Sequence, residues 1–236
     1  MKALIFAAGK GTRISRHLSG EPKCTVTVNG EPLIHYTVGM LNKYGVEDIT
    51  VVVGYSHEFI RKALADKSVR FVYNPFFDVT NSIGSAWFAR DFIKDDDMLL
   101  MNGDVYMEES LIADLTSYKC TGPVLFSDES RKEEADYKFY YKNGKLIDYG
   151  KELTGDRITG EYIGVAVLGK DFLPTFCARL DDMISTQQHS VWWENVIYTL
   201  SDKIDISVVN VEGKFWAEVD YIEDYERIKA FAEGNI

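Results

Sequence analysis

Between Ala7 and Lys23 the chain reads AAGKGTRISRHLSGEPK, directly after the apolar run KALIF. Small residues let a backbone come close to a ligand, so that its N–H groups face phosphate oxygens. Arg13 offers a planar fork that can grip a phosphate through two parallel hydrogen bonds, and Lys23 adds a compact positive charge. Two common phosphate loops are excluded by spacing. A P-loop needs Gly, four residues and then Gly-Lys-Ser/Thr, whereas here Lys10 follows Gly9, with Gly11-Thr12 after it. A dinucleotide loop needs a third glycine where Ile14 stands. What remains is Ala-Ala-Gly-x-Gly-Thr-Arg, with Pro22-Lys23 following about ten residues on.

Charge narrows the ligand. The 236 residues include 26 Lys and Arg against 37 Asp and Glu, a net −11, which argues against nucleic acid as a partner. Residues 1–23 nevertheless hold Lys2, Lys10, Arg13, Arg16 and Lys23 against Glu21, a local +4 on a remainder of −15. A basic island on an acidic protein suits a small polyanion. The composition, 46% hydrophobic and 27% charged, is that of a folded chain, and no apolar run nears the roughly 18 residues of a membrane helix. MKALIFAAG is too short for a signal peptide. Cys24, Cys120 and Cys177 lie far apart and read as free thiols, and His17, His35, His57 and His189 show no metal spacing. The expectation is a cytoplasmic protein with no membrane insertion.

These residues need elements to hold them. KALIF (2–6), DITVVVG (48–54), VRFVYN (69–74) and DMLLMNGD (97–104) read as buried strands. Helices are expected from Ile34 to Leu41 with Gly45 as the stop, from a Ser56 cap through Leu64, and from an Asn81 or Ser82 cap through Trp87 and Phe92. Alternation of this kind through residue 116 predicts a parallel sheet wrapped by helices. Right-handed crossovers would bring the opening loop, Gly54-Tyr55, Asn81-Ser82 and Asp104 to one edge of it. After residue 120 the pattern turns β-rich, with a hairpin at Asn143-Gly144, helices at 171–183 and 190–201, late strands ISVVNV and FWAEV, and a closing helix YIEDYERIKAFAEG. No linker, repeat or low-complexity tract interrupts it.

At this point the sequence resembles a known family. Gly9-Lys10-Gly11-Thr12-Arg13 with Pro22-Lys23 is similar to the signature of nucleotidyltransferases that activate sugar phosphates and small alcohol phosphates. The resemblance continues in order through Asn81-Ser82, Asn102-Gly103-Asp104, Gly150-Lys151, Glu161-Tyr162-Ile163-Gly164 and Glu218-Val219-Asp220. In particular the chain resembles small bacterial cytidylyltransferases acting on phosphocholine, phosphoethanolamine-like compounds or 2-aminoethylphosphonate. The resemblance implies an α/β, Rossmann-like three-layer α/β/α nucleotidyltransferase fold, with a mostly parallel mixed central sheet and a β-rich insertion. It implies a single domain over 1–236, with nucleotide binding in about 1–116 and acceptor binding in about 117–236.

The implied reaction joins an acceptor phosphate to the α-phosphorus of CTP and expels pyrophosphate. A phosphomonoester has a second pKa of about 6, so no general base is needed. The site has to hold two polyanions in line and neutralise charge. The resemblance places Lys23 on the α-phosphate, and Arg13 with the Gly9–Thr12 stretch, Lys10 included, on the β- and γ-phosphates. It places Lys151 on the acceptor phosphate, although sugar-phosphate enzymes read Glu-Lys-Pro where this chain has Gly150-Lys151-Glu152. Asn81, Ser82 and Ser85, with the Ala7-Ala8 backbone, would meet the base. Asp104 and Asp220 fall at the family's Mg²⁺ positions, while Glu218 is expected to point to the opposite face of its strand. Asp220 and Asn81 could equally serve as helix caps.

For the acceptor, Trp192 and Trp216 are the candidate aromatic faces for an ammonium group, with Glu161, Tyr162 and Glu194 beside them, whereas Trp193 shares a helical face with Val196, Ile197 and Leu200 and is expected in the core. Two other readings keep much of the same machinery. One is a sugar-1-phosphate nucleotidyltransferase using UTP, dTTP, CTP or GTP, and the other is a catalytically silent nucleotide-binding regulatory subunit. A homodimer is compatible with the general prevalence of two-fold assemblies.

Overall fold

The computed structural model describes residues 1–14, 18 and 20–235, so Arg16 and His17 lie outside them. Strand β1 (Lys2–Ala7) is the axis of the sheet, because Ala3, Leu4, Ile5 and Phe6 leave nothing polar to expose on either face. Next come the short antiparallel pair β2 (Thr27–Val28) and β3 (Glu31–Pro32), then helix α1 (Leu33–Lys43). Strand β4 (Ile49–Val53), helix α2 (His57–Ala63), strand β5 (Arg70–Tyr73), helix α3 (Ser82–Phe88) and strand β6 (Met98–Asn102) complete the first half. β1 pairs in parallel with both β4 and β6, and β4 pairs in parallel with β5.

Strand β7 (Val105–Met107) and helix α4 (Glu109–Ser117) follow, then β8 (Pro123–Asp128), β9 (Lys138–Lys142), β10 (Lys145–Gly150) and β11 (Gly160–Leu168). The chain closes with α5 (Leu173–Ser185), α6 (Asn195–Tyr198), β12 (Ser207–Asn210), β13 (Trp216–Glu218) and α7 (Ile222–Ala232). The large sheet runs β5-β4-β1-β6-β11-β8-β12-β10-β9. Among its nine strands only β10 and β11 run against the rest, as the pairings require. Asn143 and Gly144 both take positive φ at the β9–β10 turn, matching the twist of the strands they join. β9 pairs with β11 as well as with β10, so this end of the sheet rolls back on itself.

Both faces of the parallel part are covered, which is why its strands read as continuous apolar runs. Ile5, Val51 and Met101 face α1, α2 and α4 through Ile34, Ile60 and Leu111. Leu4, Val52 and Leu100 face α3, α5 and α6 through Ile83, Phe176 and Val196. The result is three layers, α/β/α. Among the described residues no helix is long and apolar enough to cross a membrane.

Three local expectations differ from what forms. Ser56 precedes α2 but takes a left-handed φ and makes no capping bond through its side chain. α3 stops at Phe88, and Arg90–Phe92 is a tighter 3₁₀ turn. The predicted helix over 190–201 shrinks to α6, because the backbone before it serves other contacts: the Trp193 N–H donates to Ser82 Oγ at 3.0 Å, and its indole Nε1 donates to Asn102 Oδ1 at 2.9 Å. Trp193 is fully buried and stacks on Phe6, while its neighbour Trp192 remains 40% exposed. Trp193→Ala should therefore cost about 3–5 kcal/mol of stability in denaturant titrations, and Trp192→Ala no more than about 0.5 kcal/mol.

Candidate active site

Strand register brings the chemistry to one edge. Ala7 lies opposite Val53, and Phe6 opposite Asn102, so the loops leaving β1, β4 and β6 open side by side. The chain turns tightly there. The Gly103 N–H donates to Phe6 O at 2.8 Å, and a Cβ on Gly103 would lie 2.9 Å from that oxygen and from Ala7 Cβ. Gly103 thus lets Asp104 sit directly beneath the opening loop.

The C-terminal part supplies the other half of the cluster. β13 pairs antiparallel with β7, and the Val219 N–H donates to Asp104 O at 2.9 Å. Carboxylate oxygens of Asp104, Glu218 and Asp220 lie within 4.8 Å of one another. Glu218 therefore does not point away from Asp220. Residues two apart at a strand end share a face, so the same alternation that carries Asp220 inward carries Glu218 with it. Asp220 is not used as a cap either: at the start of α7 the Tyr221 N–H donates to Asp224 Oδ2 at 2.9 Å.

Lys23 holds these carboxylates together. Its ammonium pairs with Asp220 and lies 3.4 Å from Asp104. Burial pulls the Lys23 pKa down, but Asp104, Asp220 and Glu218 outweigh it and the net shift is upward. Burial raises the Asp104 pKa, Lys23 opposes this and Asp220 reinforces it. Glu218 is pushed well up by burial, then by Asp104 and Asp220. Arg13 pairs with Asp220 and lies over the Tyr221 ring, 5.7 Å from its centroid. Gly11 takes a left-handed φ of +58°, and a Cβ there would meet Lys23 Cγ at 2.5 Å, so the loop presses on the stem of the lysine.

Two cavities open around this cluster. The first, about 410 Å³, is lined by Ala7, Ala8, Gly9, Gly11, Thr12, Arg13, Lys23, Asn81, Ser82, Ser85 and Asp104 of the residues singled out for a nucleotide. Lys10 is outside that lining, its ammonium 3.9 Å from Asp78. Asn81 Oδ1 accepts from the Ser82 N–H, so the side chain caps α3. Asn74, Phe77, Thr80 and Asn102 also line the cavity and were not anticipated as site residues; buried Asn74 Nδ2 donates to Ser85 Oγ at 3.1 Å. A rule that strand ends face the ligand would have found Asn74, just beyond β5, and Asn102, the last residue of β6.

The second cavity, about 540 Å³, is lined by Lys151, Glu161, Tyr162, Trp192, Glu194 and Trp216, all singled out for an acceptor. Six residues line both spaces: Arg13, Ser82, Asn102, Trp192, Glu218 and Asp220. Lys151 pairs with Asp136 at 2.6 Å and sits 5.8 Å from the Trp192 ring centroid. Glu161 is buried, accepting from Arg131 Nε at 2.9 Å and the Asp136 N–H at 2.8 Å. Trp216 is buried, with its indole Nε1 donating to Asp128 and Arg131 over its ring. Burial pushes the Glu194 carboxyl up to about 8, against opposing hydrogen bonding, with Asp104 adding to the rise. Arg131, Tyr137, Tyr198 and Arg227 were not anticipated; nothing local in the sequence marks them, since they reach the cavity only through the rolled end of the sheet, α6 and α7.

Comparison with known proteins bears on the family and the fold. Residues 3–158 match the family model of the MobA-like NTP transferase domain. The choline-phosphate cytidylyltransferase of Streptococcus pneumoniae is 25% identical over the whole of both chains. The 2-aminoethylphosphonate cytidylyltransferase of Lancefieldella rimae is 27% identical, over 99% of this chain and 93% of that one. The solved structure of the Streptococcus pneumoniae CTP:phosphocholine cytidylyltransferase superposes with a TM-score of 0.82 at 23% identity, over 98% of each chain.

Glu194 gives a test of the electrostatics. With its pKa near 8 when folded and 4.5 when free, the unfolded chain binds fewer protons between those values, so this group's contribution to stability falls as pH rises through them. In metal-free protein Glu194→Gln should reduce the decline in melting temperature from about pH 5 to about pH 8. An unchanged decline would show that the carboxyl is ionised throughout.

Proposed function

We propose that this chain, a nucleotidyltransferase that belongs to the MobA-like NTP transferase domain family, transfers CMP from CTP to a small phosphorylated amino alcohol or phosphonate and releases pyrophosphate. The observation that carries the reading is the shared wall: a cavity with a glycine-rich loop and one with aromatic and acidic walls meet at Arg13, Glu218 and Asp220, beside Lys23 and Asp104. The names of the full-length relatives support the choice of CTP and of this acceptor class.

The residues divide the work as follows. Backbone N–H groups from Gly9 to Thr12 and the Arg13 guanidinium hold the β- and γ-phosphates. Lys23 holds the α-phosphate, and Asn81, Ser82 and Ser85 meet the base with the Ala7-Ala8 backbone. Lys151 holds the acceptor phosphate, whose oxygen attacks the α-phosphorus as the bond to pyrophosphate breaks. Trp192, Trp216, Tyr162, Glu161 and Glu194 surround the other end of the acceptor. Residues 1–116 thus serve mainly the nucleotide and 117–236 mainly the acceptor, with Glu218 and Asp220 crossing over.

The donor set fits Mg²⁺: three carboxylates with all-oxygen ligands are what a hard cation takes, and Lys23 already shows that positive charge is stable among them. Bound by Asp104 and Asp220, Mg²⁺ would neutralise charge on the phosphates.

The test is pyrophosphate release across nucleotide and acceptor pairs. CTP with an amino-alcohol phosphate or aminoalkylphosphonate should lead. UTP or dTTP with a hexose phosphate running faster would replace the acceptor and base, and nucleotide binding with no turnover on any acceptor would leave a silent binding protein. Asp104→Asn and Asp220→Asn should each stay folded and lose on the order of 10²-fold in rate, the scale for removing one preorganised charge-stabilising group. Near-normal turnover at limiting Mg²⁺ in either folded variant would remove that residue from the metal site.

A further inference from the structure

Two buried hydroxyls in the acceptor cavity lack a well-formed hydrogen bond among the described residues. Tyr162 on β11 is 8% exposed and Tyr198, the last residue of α6, is 1% exposed. Both line the second cavity; among the described residues the Tyr198 oxygen meets no hydrogen-bond partner, and the Tyr162 oxygen lies toward the Glu194 carboxyl without a well-formed bond. Their rings meet edge to face, with centroids 6.5 Å apart. Buried polar groups in folded proteins are almost always satisfied, so an under-bonded pair facing a cavity marks groups that a ligand completes.

Glu194 belongs to the same corner. The Tyr198 N–H donates to the Glu194 carbonyl at 3.0 Å, one helical turn apart, so the two side chains share a face. Glu194 is 5% exposed, lines the cavity and has no ion pair among the described residues. Tyr137 closes the corner, stacking on Tyr198 at 5.8 Å and meeting Trp192 edge-on at 5.5 Å.

A ligand head group that suits this corner must bring several N–H donors for the oxygens, and a positive charge on it would favour the ionised form of the buried Glu194 carboxyl. A trimethylammonium group has the charge but no N–H, and it would bury both phenol oxygens against methyl groups. We infer that the acceptor ends in a primary ammonium, with Glu194, Tyr162 and Tyr198 accepting its three N–H bonds, so that the two tyrosines set specificity against quaternary amines. The inference rests on the cytidylyl-transfer reading for the identity of the phosphate end, while its account of the head group stands on the corner alone.

The experiment compares phosphoethanolamine, phosphocholine and glycerol 3-phosphate as acceptors with CTP and Mg²⁺, in the native chain and in Tyr198→Phe and Tyr162→Phe. Phosphoethanolamine should have the highest kcat/KM, exceeding phosphocholine by at least about tenfold, the scale of a lost hydrogen bond to a charged group. Either phenylalanine variant should raise the KM for phosphoethanolamine by about tenfold, leave the KM for CTP in place and narrow the preference. Both substitutions keep the ring, and thermal melts verify the fold. Phosphocholine equalling phosphoethanolamine, glycerol 3-phosphate surpassing it, or a preference that survives in both folded variants would overturn the inference. If no acceptor releases pyrophosphate from CTP, the transfer reading fails by itself. Calorimetric binding of phosphoethanolamine against phosphocholine to the same three proteins then decides the head group: selective binding lost in the variants upholds it, and equal binding overturns it.

Discussion

Three carboxylates and a lysine have to share one partly buried space, and much of the molecule is arranged to make that tolerable. Like charges within 4.8 Å of one another repel strongly where water is scarce, so Asp104, Glu218 and Asp220 hold together only because the Lys23 ammonium lies among them. Each member is delivered by a different device. Pro22 and a short 3₁₀ turn deliver Lys23, the Gly103 turn delivers Asp104, and the β7–β13 ladder delivers the two C-terminal acids. The Val219-to-Asp104 backbone bond locks the second and third devices to each other. Without the parallel sheet to align the ends of β1 and β6, none of these would converge.

The same arrangement joins two unlike cavities. One is walled by small residues and backbone, the other by rings and acids, and the charged cluster is the partition they share. Arg13 lines both cavities, Lys23 lines the first and Lys151 the second, and Asp220 holds Arg13 and Lys23 together at the boundary. The acids therefore keep those cations in place and screened until an anion competes for them.

Legibility in the sequence followed the range of the interactions. The parallel strands and their order of use were readable because a strand buried on both faces must be apolar throughout, as ALIF, ITVVV and MLLM are. Most of the loop residues were readable because a strand end, glycines and a following lysine are local features. The pairing of β7 with β13 was not, since two three-residue strands separated by half the chain carry no periodic signal. Glu218 was misplaced for a different reason: in FWAEVDY it stands two residues from Asp220, so the strand alternation itself puts the two on one face, and expecting opposite faces misapplied that period. Tyr198 lies off the helical face of Trp193, Val196, Ile197 and Leu200, and its place in a cavity wall depends on Tyr137 and Tyr149, which only the distal strands bring to it.

The double pairing of β9, to β10 on one side and β11 on the other, has a consequence beyond shaping a cavity wall. An open sheet has two unpaired rims, each a template on which another chain can add a strand, and here β9 is paired along part of its outer side, at Lys138 and Phe139. The opposite rim is β5, four residues long, headed by Arg70, whose guanidinium stacks over Phe92 and faces Asp48. A short ladder with a charge at its mouth is a poor seed for fibrillar growth. The curl of the distal strands thus shortens the stretch of backbone through which one copy of the chain could add to another.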